Sequence, residues 1–332
     1  MTMKPSPINC TIPLDRDGVH HGHLKLPYSS DASAWGAIMI PISVVRRGDG
    51  PVALLTGANH GDEYEGPIAL QRLINEVDPS DVTGTVIVVP AMNYPAFRKG
   101  TRTSPIDHGN LNRVFPGRPD GTVTEKIADY FQRYLLPLAD WVLDIHSGGK
   151  TLEFVPFAAA HMLENKVQQQ RCVEAMRAFC APYSMMMLEI DNMGMYDTAA
   201  EDMGKVFVST ELGGGGTSSA YLADCAYRGV NNFLVHAGIL NRKPDLAEST
   251  EIAMPDGECF ITSENDGLLE YCVDLGQKIE AGEVIARVYD IARNGQPPAL
   301  YTARRSGILA GRHFPGLIAV GDNLAVIAEI VS

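Results

Sequence analysis

The chain has 332 residues, with 27 Lys and Arg against 40 Asp and Glu, so its formal net charge is −13 at pH 7. That balance leaves no basic stripe to neutralise nucleic-acid phosphates or to hold an anionic membrane surface, and neither is expected as a partner. Hydrophobic residues at 45% and charged ones at 20% exclude wholesale disorder.

The N-terminal stretch MTMKPSPINC has no apolar core after Lys4 and does not read as a secretory signal. The longest apolar approach, from Ala34 to Val45, is cut by Gly36, Pro41 and Ser43 and is too short to span a membrane. The six cysteines form no CxxC pair, so neither a disulfide framework nor a thiolate metal site is indicated. A reducing cytoplasm is the expected compartment. Just before the first predicted strand, His20, His21 and His23 form an HHGH cluster that reads as exposed strand residues.

Residues 52–57 (VALLTG) form a short apolar run ending in Gly, the pattern of a buried strand. Over 67–77, Ile68, Leu70, Leu73, Ile74 and Val77 share one helical face, with Pro67 suited to the first turn. A second strand is predicted at 85–90. Thr122 and Glu125 then form a capping box ahead of a helical repeat through Ile127, Tyr130, Phe131, Tyr134 and Leu135. Further strands are predicted at 141–145 and 206–210, and helices at 167–180 and 221–237. Apolar strands alternating with amphipathic helices predict an α/β fold: a mixed, mostly parallel sheet with helices on both faces. Ligands bind outside the carboxyl ends of such strands, which says where to look for chemistry.

After about residue 250 the helical period stops. A weak repeat sets Gly267-Leu-Leu through Gly282 against Gly307-Ile-Leu through Gly321, which suggests a small two-fold β-sandwich or barrel resembling the biotinyl/lipoyl type. The chain therefore divides into a catalytic domain at 1–250 and a small all-β domain at 251–332, with a linker at 241–256. No modifiable Lys sits at a hairpin tip, so a carrier role is not expected.

The first strand runs into Asn59-His60-Gly61-Asp62-Glu63, and the 141–145 strand ends in Asp144-Ile145-His146. Two His and one Glu at two strand ends make a three-ligand set for Zn²⁺ with an open position. Asp144, two residues before His146 and on its face, reads either as an orienting partner or as a simply hydrogen-bonded buried Asp. Glu211 ends the fourth predicted strand, where a carboxylate can take a proton from water. Four glycines follow it, able to bring backbone close to a substrate or to form a flexible turn. Arg102 and Asn112-Arg113 lie in an intervening loop suited to holding anions.

The ordered set His60-x-x-Glu63, Pro90-x-x-Asn93, Asn112-Arg113, His146 and Glu211 resembles the zinc carboxypeptidase superfamily, within it the succinylglutamate desuccinylase/aspartoacylase family. The resemblance spans about residues 50–240 and extends to a C-terminal β domain. It implies one Zn²⁺ per chain held by His60, Glu63 and His146, with Glu211 as general base. It also implies that Asn112 and Arg113 grip a substrate α-carboxylate, and that Arg102 steadies the oxyanion, with Arg98 and Arg118 as competitors for that role.

The implied activity is hydrolysis of the amide bond of a small N-acyl amino acid, and a homo-oligomer is compatible with it. The stretches GANHGDEYEGPIAL and DIHSGGKTLEFVPF look most like the branch of the family that deacetylates N-alpha-acetyl-L-2,4-diaminobutyrate in ectoine degradation. N-acetylaspartate or N-succinylglutamate as substrate, or peptide cleavage by a metallocarboxypeptidase, are the alternatives. Glu189, Asp191 and Asp197 are candidates to meet a side-chain ammonium, against a reading as a solvated loop. His161 and His236 read as structural, His108 as a possible substrate contact in the arginine loop, and Met185 to Met187 as core or pocket lining.

Overall fold

A computed structural model describes residues 4–187 and 193–331. Three strands open the chain: β1 (Asn9–Cys10), β2 (Gly18–Pro27) and β3 (Ala37–Arg47). Then come β4 (Val52–Gly57), α1 (Glu65–Glu76), β5 (Gly84–Val89), α2 (Tyr94–Lys99) and α3 (Val123–Tyr130). The strands β6 (Trp141–His146), β7 (Leu152–Phe154) and β8 (Phe157–His161) lead into α4 (Lys166–Phe179) and β9 (Tyr183–Met187). Next are α5 (Tyr196–Glu201), β10 (Val206–Glu211), α6 (Ala220–His236) and β11 (Thr250–Ala253).

The C-terminal part is all β: β12 (Phe260–Thr262), β13 (Gly267–Tyr271), β14 (Lys278–Ile279), β15 (Val284–Tyr289) and β16 (Ala299–Thr302). It ends with β17 (Gly307–His313), β18 (Leu317–Ile318) and β19 (Asn323–Ile330).

The main sheet runs β1-β2-β3-β5-β4-β6-β10-β8-β9-β11 and continues into β19, β17 and β14. Its centre, β5-β4-β6-β10, is parallel. Helices α1, α4 and α6 cover one face through Leu70, Leu73, Met176, Phe179 and Phe233. On the other face α3, the turn after it and α5 pack through Ile127, Phe131, Tyr196 and Ala200. The expected α/β class is thus the one observed. Thr122 makes both bonds of the predicted capping box with Glu125. Among the described residues, no helix is long and apolar enough to cross a membrane.

The sheet begins earlier than the sequence reading placed it. The HHGH cluster lies inside β2, where His21, His23 and their neighbours pair with β3. The interrupted run 34–45 supplies most of β3. Pro41 is tolerated there because β5 pairs only with Ser43 to Arg47, so beyond its end one side of β3 demands no ladder donor.

The segment expected as a linker holds β11, which pairs parallel with β9 and antiparallel with β19 and so stitches the C-terminal strands to the main sheet. Strand β7 pairs with β17 as a second stitch. The repeat is visible in the backbone. Gly267 begins β13 in a four-stranded sheet, β16-β15-β13-β18, and Gly307 begins β17 in the facing strands. A Cβ at Gly267 would lie 2.4 Å from the Tyr289 carbonyl oxygen, and one at Gly307 2.2 Å from that of Ala328. Between the two layers Ile285, Leu309, Leu324 and Ile327 form a separate core.

Candidate active site

Strand alternation aims the functional side chains. On β6, Leu143 and Ile145 enter the core under α1, so Asp144 and His146 face the other way. Glu211 is the register partner of His146 on β10 and continues the face of Ser209 and Phe207. His60 and Glu63 come from the turn after β4. Asn93 holds that turn: its backbone donates to the Ala58 carbonyl and its side chain to that of Asn59. Gly61 donates to the Thr101 carbonyl, and a Cβ there would fall 2.0 Å from the Ala96 carbonyl carbon. Only glycine lets the backbone of α2, at Ala96 and Phe97, lie this close to the turn.

The ligand atoms of His60, Glu63 and His146 all lie within 4.8 Å of one another, and all three residues are buried. Glu63 sits between the rings, with Oε1 2.7 Å from His60 Nδ1 and Oε2 2.9 Å from His146 Nδ1. His146 Nε2 is 2.8 Å from Asp144 Oδ2. Asp144 also accepts from Thr56 Oγ1 at 2.6 Å and Asn59 Nδ2 at 3.0 Å, so it is at once orienting partner and fully hydrogen-bonded buried acid.

Burial disfavours charge on His146, but Asp144 and Glu63 outweigh it and hold the imidazole well above its ordinary pKa. Burial wins at His60, which is pushed down despite Glu63. Glu63 is held well below the carboxylate range by both rings, burial notwithstanding.

A divalent cation fits this donor set. His60 Nδ1 faces Glu63, which only accepts, and at 3.3 Å Arg102 Nη1, which only donates. One proton position cannot satisfy both, whereas a cation takes lone pairs from ring and carboxylate alike. Two imidazoles and a carboxylate with an open side suit Zn²⁺.

Arg102 lies 3.7 Å from Glu63 Oε1 with its side chain half exposed. Its competitors are engaged elsewhere: Arg98 bonds the Tyr94 hydroxyl, and Arg118 pairs with Glu125 at 2.9 Å. Asn112 is buried, its Oδ1 accepting from the Tyr196 backbone at 2.9 Å, and exposed Arg113 donates to the Asn112 carbonyl at 2.6 Å.

Glu211 completes the group. Its Oε2 is shut off from solvent and has no hydrogen-bond partner. Burial first, then the charge of Glu63, pushes its carboxyl up to about 8. A cavity of about 220 Å³ is bounded by His60, Arg102, Arg113, His146, Asp197 and Glu211.

The glycines after Glu211 do not line that cavity. All four have positive φ, and Gly214 lies so close to the Leu152 carbonyl oxygen that a Cβ would sit 2.0 Å from it. They shape backbone against residues 148–154 rather than against a ligand. Asp197 is buried at the cavity, while Glu189 and Asp191 lie outside the described residues. His161, read from sequence as structural, is buried with Nδ1 2.8 Å from Glu201 and also lines the cavity, as do Ser209 and Phe207. Counting back by two from Glu211 finds the last two; His161 carries no such signal, because the alanine run of β8 has no strand pattern of its own. His108 is exposed in the arginine loop and does not line the cavity, whereas Met187 does.

An α/β sheet that carries a buried two-His, one-Glu group and a further buried carboxylate at its carboxyl edge suits a hydrolase. The model of the succinylglutamate desuccinylase/aspartoacylase catalytic domain matches residues 49–237, and the chain belongs to that family. It is 56% identical to the N-alpha-acetyl-L-2,4-diaminobutyric acid deacetylase of Halomonas elongata over 330 residues, covering 99% of this chain and 96% of that one. The product-bound structure of the ectoine utilization protein EutE (DoeB) from Ruegeria pomeroyi is 62% identical, with a TM-score of 0.97, covering 98% of this chain and all of that one. A succinylglutamate desuccinylase/aspartoacylase structure from Rhodobacter sphaeroides shares 34% identity and a TM-score of 0.93, covering 98% of this chain and all of the other.

Proposed function

We propose that this chain is a zinc-dependent deacetylase of N-alpha-acetyl-L-2,4-diaminobutyrate, releasing acetate and 2,4-diaminobutyrate, as ectoine degradation requires. The observation carrying the reading is a small cavity whose lining brings together a guanidinium and a buried carboxylate beside the triad. Arg113 and Asn112 offer donors for an α-carboxylate, and buried Asp197 offers a partner for a side-chain ammonium. The names of the relatives, at 56% and 62% identity, support the same substrate.

His60, Glu63 and His146 would hold the Zn²⁺, which supplies Lewis acidity toward the scissile carbonyl and toward water. Glu211 takes the proton of the attacking water and returns it to the leaving α-amine. A carboxyl pushed up toward neutrality suits both halves of that transfer. Arg102, beside the triad, donates to the carbonyl oxygen as negative charge develops there. Asp144 fixes the His146 ring by its hydrogen bond to Nε2.

Residues 1–250 would form the catalytic unit and 251–332 a β unit docked through β11 and β7. A cytoplasmic location accords with a metabolic hydrolase.

The test is release of the free amino acid by zinc-loaded protein from N-alpha-acetyl-diaminobutyrate, N-gamma-acetyl-diaminobutyrate, N-acetylaspartate and N-succinylglutamate, with acetate as co-product of the first three and succinate of the last. Strong preference for the first is expected. Preference for an acidic substrate would overturn the amino-acid assignment and leave the hydrolytic one standing.

A further inference from the structure

The small polar cavity is not the only space that reaches Glu211. A second cavity of about 440 Å³ begins on the far side of this residue, and Glu211 and Met187 line both. Its character is different: apart from Glu211, Thr262 and Asn323 its lining is apolar, with Phe154, Phe157, Met185, Phe260 and Val326 among it. Strand register explains the continuity. Glu211 on β10 pairs with Phe157 on β8, and β8 in turn pairs with β9, which carries Met185 and Met187. One sheet face therefore runs from the triad, past the base, into an apolar trough. The outer wall comes from the C-terminal strands, with Phe260 on β12, Ala310 on β17 and Val326 on β19.

We propose that this second cavity is an acyl-chain subsite, so that the chain hydrolyses α-amino acids carrying linear apolar acyl groups well beyond acetyl. The inference rests on the preceding assignment of Glu211 as base and of Arg113 as carboxylate clamp. In an N-acyl amino acid the acyl carbons leave the carbonyl opposite the amide nitrogen. With the carboxylate at Arg113 and the carbonyl beside Glu211, the acyl chain points away from the polar cavity. The space on that side is apolar.

A methylene is close in size to a water, whose share of liquid volume is about 30 Å³, so eight carbons need roughly 240 Å³. The 440 Å³ available accommodates them, and acetyl leaves most of it unfilled. The reaction balances as ordinary hydrolysis. The amide C–N bond breaks, the C–O bond to water forms, the proton passes through Glu211 to the amine, and a medium-chain carboxylate leaves.

The experiment measures kcat/KM of zinc-loaded full-length protein for N-alpha-acetyl, butanoyl, hexanoyl and octanoyl 2,4-diaminobutyrate. Burying each added methylene is expected to raise kcat/KM by about two- to fourfold, the upper figure being 0.8 kcal/mol per CH₂. Ala310→Leu, which narrows the trough, should cost the octanoyl substrate at least about tenfold and leave the acetyl rate within about twofold.

Inhibition of acetyl hydrolysis by butanoate, hexanoate and octanoate gives the same information without a variant, and potency should rise with length. Acetyl turnover with flat or falling rates toward octanoyl, and no length-dependent inhibition, would overturn the proposal. Length-dependent turnover of acylated aspartate or glutamate but not of acylated diaminobutyrate would uphold the subsite while overturning the amino-acid assignment.

Discussion

Buried polar side-chain atoms without a hydrogen-bond partner crowd around the triad: Asn59 Oδ1, His60 Nε2, Asp62 Oδ1, Glu65 Oε1, Ser147 Oγ and Glu211 Oε2. Among the described residues beyond 250, Arg305 Nε alone is of this kind. The C-terminal strands instead interlock Leu309, Leu324 and Ile327 in a dry core. One region stores unsatisfied polarity for chemistry, and the other is held by apolar burial. Groups that a folded chain would rather neutralise persist only where the surrounding backbone over-determines them. Here Asn93, Gly61 and the Asp62–Lys150 backbone bond at 2.9 Å do that.

The contrast has consequences that experiments can break. Changing Glu211 to Gln should lower kcat by about 10²–10⁴-fold, the usual worth of a general acid–base, while zinc content stays near one per chain. Metal analysis beside steady-state rates checks it, and retained turnover would remove Glu211 as the base. Leu324→Ala, in the dry core, should cost about 2–5 kcal/mol of stability in denaturant melts and leave the acetyl-substrate rate at 25 °C nearly unchanged. Loss of both together would mean that the two regions do not separate.

Arg113→Ala should raise KM by about 10–100-fold with a smaller change in kcat, as expected when a charge-assisted hydrogen bond to the substrate is lost. An unchanged KM would dismiss the carboxylate clamp.

The smallest effect is a shift in pH dependence. In the metal-free protein the folded pKa of Glu211, about 8, lies above its ordinary 4.5, so folding favours the neutral acid. Its contribution to stability is fully present below pH 4.5 and is lost as pH rises toward 8. Glu211→Gln should therefore raise the Tm of chelator-treated protein by roughly 2–4 °C at pH 8.5, with no gain at pH 4.5. Equal Tm values at both pH values would show that the carboxyl carries no such penalty.

Much of this organisation was legible in residue order. Short continuous apolar runs gave β4, β5, β6 and β10, and the capping box gave α3, because those signals are local. The triad residues were readable because His146 ends β6 and His60 and Glu63 follow β4 directly, where chain direction alone puts them at the carboxyl edge. Strand β3 was not readable: Pro41 interrupts its pattern, and only the short reach of β5 makes that proline harmless.

The sequence by itself determined which side chains could do chemistry and the strands that carry them. Which arginine approaches the triad was decided by the tertiary structure, since Arg98 and Arg118 are equally cationic and differ only in the Tyr94 and Glu125 that the fold sets beside them. So was the joining of the C-terminal strands to the main sheet through β11 and β7. Pairing between strands is set by non-local backbone hydrogen bonds and shared burial, and these exist only once distant segments have been brought together.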